Sequence, residues 1–192
     1  QYNSVSLNHV VREQKVTLAH MIDLDVVDHC AEAILENAEA LVMPWYPHVK
    51  NDPGPRNLGE IALEHPLLRR LDNEGRLLWY NLSSGKARGN SPVVKARFFS
   101  AEAALNMLVA AGARRIRSLG VDGGASYSAS FSDLRDKTLL ANGRSSFDRQ
   151  FEEFASTIVR NNVDFSPLDV ESPIKVFVAA TPVQMLAVKV LE

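Results

Sequence analysis

Four short segments carry residues whose types and spacing could do chemistry. The first is Asp23-Leu24-Asp25, which follows an apolar run. Two carboxylates at the end of a strand can hold Mg2+ or Mn2+ against a diphosphate, because hard cations take oxygen ligands and phosphate charge needs neutralising. An aspartate there also caps a following helix, and the spacing leaves both readings open. The second segment is Pro47-His48-Val49-Lys50-Asn51-Asp52. His48 could contact a phosphate or move a proton, Lys50 could pair with a phosphate, and Asp52 could add a metal ligand. The alternative is a polar loop held by prolines. The third is Gly120-Val121-Asp122-Gly123-Gly124. Gly123 and Gly124 would let a ligand approach the backbone, and Asp122 could take a ribose hydroxyl, a base edge or a metal-bound water. A tight turn with Asp122 bonded to its own backbone explains the same residues.

The fourth segment runs from Ser83 to Ser91 and has the composition of a phosphate loop without its GxxxxGK[ST] order, which argues against a P-loop NTPase. Lys86 and Arg88 could close over an anion, although a solvated loop is the simpler reading. Ser100, at the start of an apolar helix, is a further anion contact. His9, His20, His29 and His65 have no zinc spacing and read as structural or surface residues. Arg114, Arg115 and Arg117 read as a solvated strand border, and Cys30 as a buried, inert thiol.

Strand-like and helix-like segments alternate around these positions. Lys15–Ile22, Ala40–Met43, Arg76–Tyr80, Val93–Phe99, Arg114–Gly120 and Ile174–Ala180 read as strands. Asp25–Asn37 has one apolar face made by Val26, Val27, Cys30, Ile34 and Leu35, and Asn57–Leu71 is weakly helical around Pro66. Ala101–Ala111, closed by Gly112, and Phe147–Arg160 complete the helices. This alternation predicts a Rossmann-like, three-layer α/β/α fold with a mainly parallel sheet. In such folds ligands sit beyond the carboxyl ends of the strands, which is where all four segments fall.

The composition bounds the rest. The chain has 192 residues, 46% hydrophobic and 23% charged, with a net charge of −2. These are globular values, and the charge balance argues against a nucleic-acid partner. No apolar run is long enough to span a bilayer, and a single cysteine gives neither a disulfide nor a cysteine zinc site. A cytoplasmic setting is the expectation, and a homo-oligomer stays open. The chain starts at Gln1 and ends in a helix-like stretch opened by Thr181 and Pro182, which reads as a piece of a longer protein.

In order and spacing these motifs resemble the MptE-like 6-hydroxymethylpterin pyrophosphokinase family, a Rossmann-like group related in fold to some bacterial sialyltransferases and flagellin-modifying proteins. The family's strand followed by Thr-Asp-Leu-Asp-Gly is matched by Ile22-Asp23-Leu24-Asp25-Val26. Its histidine segment is matched in part by Pro47–Asp52, and its helix start by Phe99-Ser100-Ala101-Glu102-Ala103, where two acidic positions are alanine. Gly112-Ala113-Arg114-Arg115-Ile116 and Gly120-Val121-Asp122 match the pattern that follows, so the likeness covers roughly Lys15–Tyr127. The tail, Ile174–Val178 with Thr181 and Gln184–Leu191, is similar to the opening strand and helix of a nucleotide-sugar glycosyltransferase domain.

The resemblance implies a domain over residues 1–170 lacking its glycine-rich nucleotide motif, and a linker with the start of a second domain over 171–192. It implies a metal-dependent transferase, either a glycosyltransferase or a diphosphotransferase, that binds a nucleotide or nucleotide-sugar with Mg2+ or Mn2+. The acceptor would be a glycan or a pterin-like alcohol. Asp23 and Asp25 would be metal-binding and catalytic, His48 catalytic, and Ser100, Asp122, Gly123 and Gly124 nucleotide-binding. A non-catalytic domain attached to a glycosyltransferase is the third reading.

Overall fold

The amino-terminal half is built on short apolar strands whose alternate residues face a layer of helices. The computed structural model describes residues 3–50, 52–83, 88–96, 100–120, 129–137 and 150–168. The chain divides into two compact units, 1–96 and 97–192. The division falls inside the span that the sequence reads as one domain. The boundary expected at 170, the strand Ile174–Ala180 and the helix after Thr181 lie outside the described residues.

In the first unit β1 (Val5–Leu7), β2 (Val16–His20), β3 (Ala38–Pro44), β6 (Leu77–Leu82) and β7 (Val93–Val94) form one curled sheet. Each strand is parallel to its neighbour, and the spatial order follows the chain. This is the mainly parallel, Rossmann-like α/β arrangement that the alternation of elements predicts. The elements between the strands are a 3-10 turn (Asn8–Arg12), α1 (Leu24–His29), α2 (Ala31–Asn37), a two-residue ladder of β4 (His48–Val49) with β5 (Asp52–Pro53), α3 (Leu58–Ala62) and α4 (Pro66–Asn73).

Ala19, Leu41, Met43 and Leu77 from alternate strand positions pack with Val27, Cys30, Ile34, Leu58, Leu68 and Leu71 from α1 to α4. Leu41 is wholly buried, so its truncation to alanine would cost about 2–5 kcal/mol.

Local chemistry explains the element ends. The helix expected over Asp25–Asn37 is two helices with a break at Cys30, whose φ/ψ of −108°/11° leaves the helical region. Its apolar face survives the break, because Val27, Cys30 and Ile34 all remain buried. The weak helix over Asn57–Leu71 is likewise two. Asn57 and Glu60 form a reciprocal capping box on α3. Pro66 opens α4, where the missing N–H costs nothing, and the His65 ring accepts from the Leu68 amide. His65 also bonds Asp28 at 2.8 Å, so it is structural, as expected.

β6 and β7 are parallel, yet the connection between them is short and carries no helix among its described residues. The buried Asn81 stands in for that crossover element. Its side chain accepts from the Arg88 amide at 2.9 Å and donates to the carbonyls of Arg88 and Ser91 at 3.1 and 3.2 Å. The strand expected over Val93–Phe99 pairs only at Val93 and Val94, and residues 97–99 lie outside the described ones.

In the second unit α5 (Ser100–Ala110) ends at Gly112, whose φ of 95° is a left-handed turn that suits glycine. β8 (Arg115–Ser118) pairs in parallel with β9 (Asp164–Pro167), a strand the sequence pattern does not reveal. A 3-10 segment covers Ala129–Lys137, and α6 (Gln150–Arg160) is tied to α5 by the bond from Thr157 Oγ1 to Asn106 Oδ1 at 3.1 Å. Arg115 and Arg117 both engage Asp164, so this strand border is neutralised within the protein. No described helix is long and apolar enough to cross a membrane.

Candidate functional site at the carboxyl rim of the sheet

The rim is built where β2, β3 and β6 end. Beyond β2 the chain runs through Met21 and Ile22 to Asp23, which precedes α1. Beyond β3 it turns at Trp45–Pro47 into the small β4–β5 ladder. Two links bind these segments together. The His48 amide donates to the Ile22 carbonyl at 2.9 Å, and Asp23 and His48 form an isolated parallel bridge. The Lys50 amide donates to Asp25 Oδ1 at 3.1 Å. Asp23, Asp25 and His48, which are distant in sequence, therefore stand at one edge, each half-buried.

The turn carrying His48 is under steric control. Lys50 adopts a φ of 53°, and the Gly54 amide donates to the Pro47 carbonyl at 2.9 Å. A Cβ on Gly54 would lie 2.7 Å from that carbonyl oxygen, closer than real contacts allow, so the turn requires glycine.

The two aspartates play different parts. Asp23 occupies the N-cap position of α1 with extended backbone, but its side chain makes no capping bond; only its carbonyl serves the helix, at 3.3 Å from the Val27 amide. Asp25 lies in the first turn of α1, where negative charge is favoured, and one of its oxygens is committed to the His48 turn.

Next to the rim is a buried pair that the sequence reading treats only as structure. His20 is wholly buried at the end of β2, and its Nε2 shares a 3.0 Å hydrogen bond with the Tyr80 hydroxyl on β6. The rings stack at an interplanar angle of 15°. His20 Nδ1 has no hydrogen-bond partner among the described residues. Burial lowers the His20 pKa from 6.5 to about 4, so the ring is neutral at pH 7. Burial, and secondarily the negative charge of Asp23, pushes the Tyr80 phenol well above its ordinary range. The sequence signal for this pair was a histidine and a tyrosine at the carboxyl ends of two apolar strands.

The aromatic side of the rim is Trp45 and Trp79, whose rings lie 5.5 Å apart at 53°. The Trp45 amide donates to the Tyr80 carbonyl at 2.7 Å, which fixes this indole to the end of β6. Arg88 places its guanidinium 4.1 Å from the Trp45 ring centroid and 5.5 Å from that of Trp79.

The remaining expected residues are distributed otherwise. Ser100 is half-buried and begins the described part of α5 in the second unit. Lys86, Asp122, Gly123 and Gly124 lie outside the described residues. Asp52 is exposed in the β4–β5 ladder. Among the described residues no group of three or more histidine, cysteine, aspartate or glutamate side chains is assembled to hold a metal ion. A divalent ion at Asp23 and Asp25 would thus draw its other oxygen ligands from a bound diphosphate and water, as Mg2+ commonly does. A cleft of about 440 Å³ lies elsewhere, lined by Arg12, Asp28, His29, Glu32, Glu36 and Asn37, and shares no residue with the rim. Ligands of parallel α/β sheets sit at the carboxyl ends of the strands, which favours the rim over this cleft. No family of known proteins matches this chain, and neither a curated protein nor a solved structure matches it.

Proposed function

We propose that the rim belongs to the nucleotide- or nucleotide-sugar-binding region of a metal-dependent transferase, serving glycan assembly. Asp23 and the uncommitted oxygen of Asp25 would hold Mg2+ or Mn2+, and the ion when bound would neutralise diphosphate charge. His48, set beside Asp23 by the backbone, would contact phosphate or hold a proton at its imidazole. Such chemistry depends on positioning and charge neutralisation more than on covalent steps. The observation that carries the reading is the pairing of two polar segments at the strand ends, through His48 to Ile22 and Lys50 to Asp25.

The test is calorimetry of the full chain with CMP, UDP or ATP in the presence of Mg2+. The double variant Asp23→Asn/Asp25→Asn should lose metal-dependent binding. Unchanged binding in that variant would remove the metal role. A second reading, a non-catalytic domain that orients an attached glycosyltransferase, is favoured by the bond from the Lys50 amide to Asp25, which gives that carboxylate a structural task. A nucleotide bound with equal affinity with and without Mg2+ would select it.

A further inference from the structure

Five arginines elsewhere in the described chain are neutralised internally. Arg56 pairs with Glu64, Arg70 and Arg76 with Glu74, and Arg115 and Arg117 with Asp164. Arg88 differs. It is exposed, and among the described residues no carboxylate lies within ion-pair distance of its guanidinium. Its position is nonetheless fixed from two directions. Asn81, which is 1% exposed, bonds both the amide and the carbonyl of Arg88. The guanidinium then lies over the Trp45 ring and within reach of Trp79.

A guanidinium held over an indole face keeps N–H donors for other partners, and its planar fork suits bidentate recognition of phosphate oxygens. The Trp79 Nε1 donor is buried and has no partner among the described residues. Through the 2.7 Å bond from Trp45 to Tyr80, this cation belongs to the same strand ends as the aspartate and histidine segments.

We infer that Arg88, presented on Trp45 by Asn81, is a binding site for a phosphate oxyanion. This deepens the function proposed above, since it names the group that recognises the phosphate of the ligand, but the site does not require a metal. Loss of the arginine costs the ligand a charge-assisted pair, and lysine supplies a point charge without the fork.

The chain contains two tryptophans, and both flank Arg88, so intrinsic fluorescence reports directly on the site. The experiment titrates the full chain with inorganic pyrophosphate in EDTA, against sodium chloride and sodium acetate at matched ionic strength. A saturable emission change with pyrophosphate alone is expected, about tenfold weaker in affinity in Arg88→Met and intermediate in Arg88→Lys. Met retains the packing on Trp45, so an unchanged melting temperature in Arg88→Met separates lost binding from lost folding. If Arg88→Met does not fold, Arg88→Lys carries the comparison. No saturable response, an equal response to acetate, or wild-type affinity in the folded variants would overturn the site. A chain that fails the magnesium-nucleotide test and still takes pyrophosphate through Arg88 refutes the proposed transferase and leaves this site standing.

Discussion

The rim residues and the His20–Tyr80 pair lie close together at the ends of the same strands, yet they meet the cost of polar groups in opposite ways. At the rim the backbone makes the links: His48 to Ile22 and Lys50 to Asp25. The side chains of Asp23 and His48 stay half-exposed, where water can solvate them and a ligand can reach them. In the buried pair the side chains make the link, and solvent is given up entirely. Among the described residues an imidazole there keeps one nitrogen without a partner, and burial makes it resist protonation. The contrast is between a histidine held through its backbone with its ring left accessible and a fully buried one that makes stability sensitive to pH.

The largest expected effect breaks the comparison through pH. The native His20 pKa of about 4 lies below its ordinary 6.5, so the unfolded chain binds a proton that the native chain refuses. Stability from this group is therefore complete above pH 6.5 and falls as the pH drops toward 4. The loss is roughly 3 kcal/mol at about 1.4 kcal/mol per unit. Urea midpoints at pH 7.5 and 4.5 should fall more steeply in wild type than in His20→Gln; equal slopes would show that the ring does not control acid stability.

Next in size is Tyr80→Phe, which takes the hydroxyl from His20 and leaves both buried ring nitrogens without partners among the described residues. About 2 kcal/mol should be lost at pH 7.5, read by chemical denaturation. At the rim, Gly54→Ala forces a Cβ against the Pro47 carbonyl and should cost about 1 kcal/mol. Faster amide exchange at Gly54 and Lys50 would accompany it, whereas unchanged exchange would show that the turn does not need glycine.

The smallest effect on stability sharpens the assignment of Asp25. Asn at this position keeps a carbonyl acceptor for the Lys50 amide, so Asp25→Asn should stay within about 0.5 kcal/mol of wild type. Its magnesium-dependent nucleotide binding should fall all the same. A variant that binds normally would assign Asp25 to structure alone.

Much of this arrangement was legible in the residues. The alternation of apolar segments gave the parallel α/β class, and the placing of Asp23, Asp25 and His48 after strands anticipated a shared edge. What was hidden depends on tertiary context. The break at Cys30 is invisible to periodicity, because Val27, Cys30 and Ile34 keep one buried face across it. β1 and β9 are short, and strand partners are what define them. The role of Asn81 could not be read from a Ser- and Gly-rich loop, since it arises from one buried amide bonding distant backbone atoms. The pairing of His20 with Tyr80 needed the register of β2, β3 and β6, which no local pattern encodes.

The most direct test of the rim is nuclear magnetic resonance of the full chain titrated with a manganese-nucleotide complex. Paramagnetic broadening should begin at the amides of Asp23, Asp25, His48 and Lys50 and fade along the strands. Broadening confined to the cleft around His29, Glu32 and Glu36, or none at saturating nucleotide, would contradict the account.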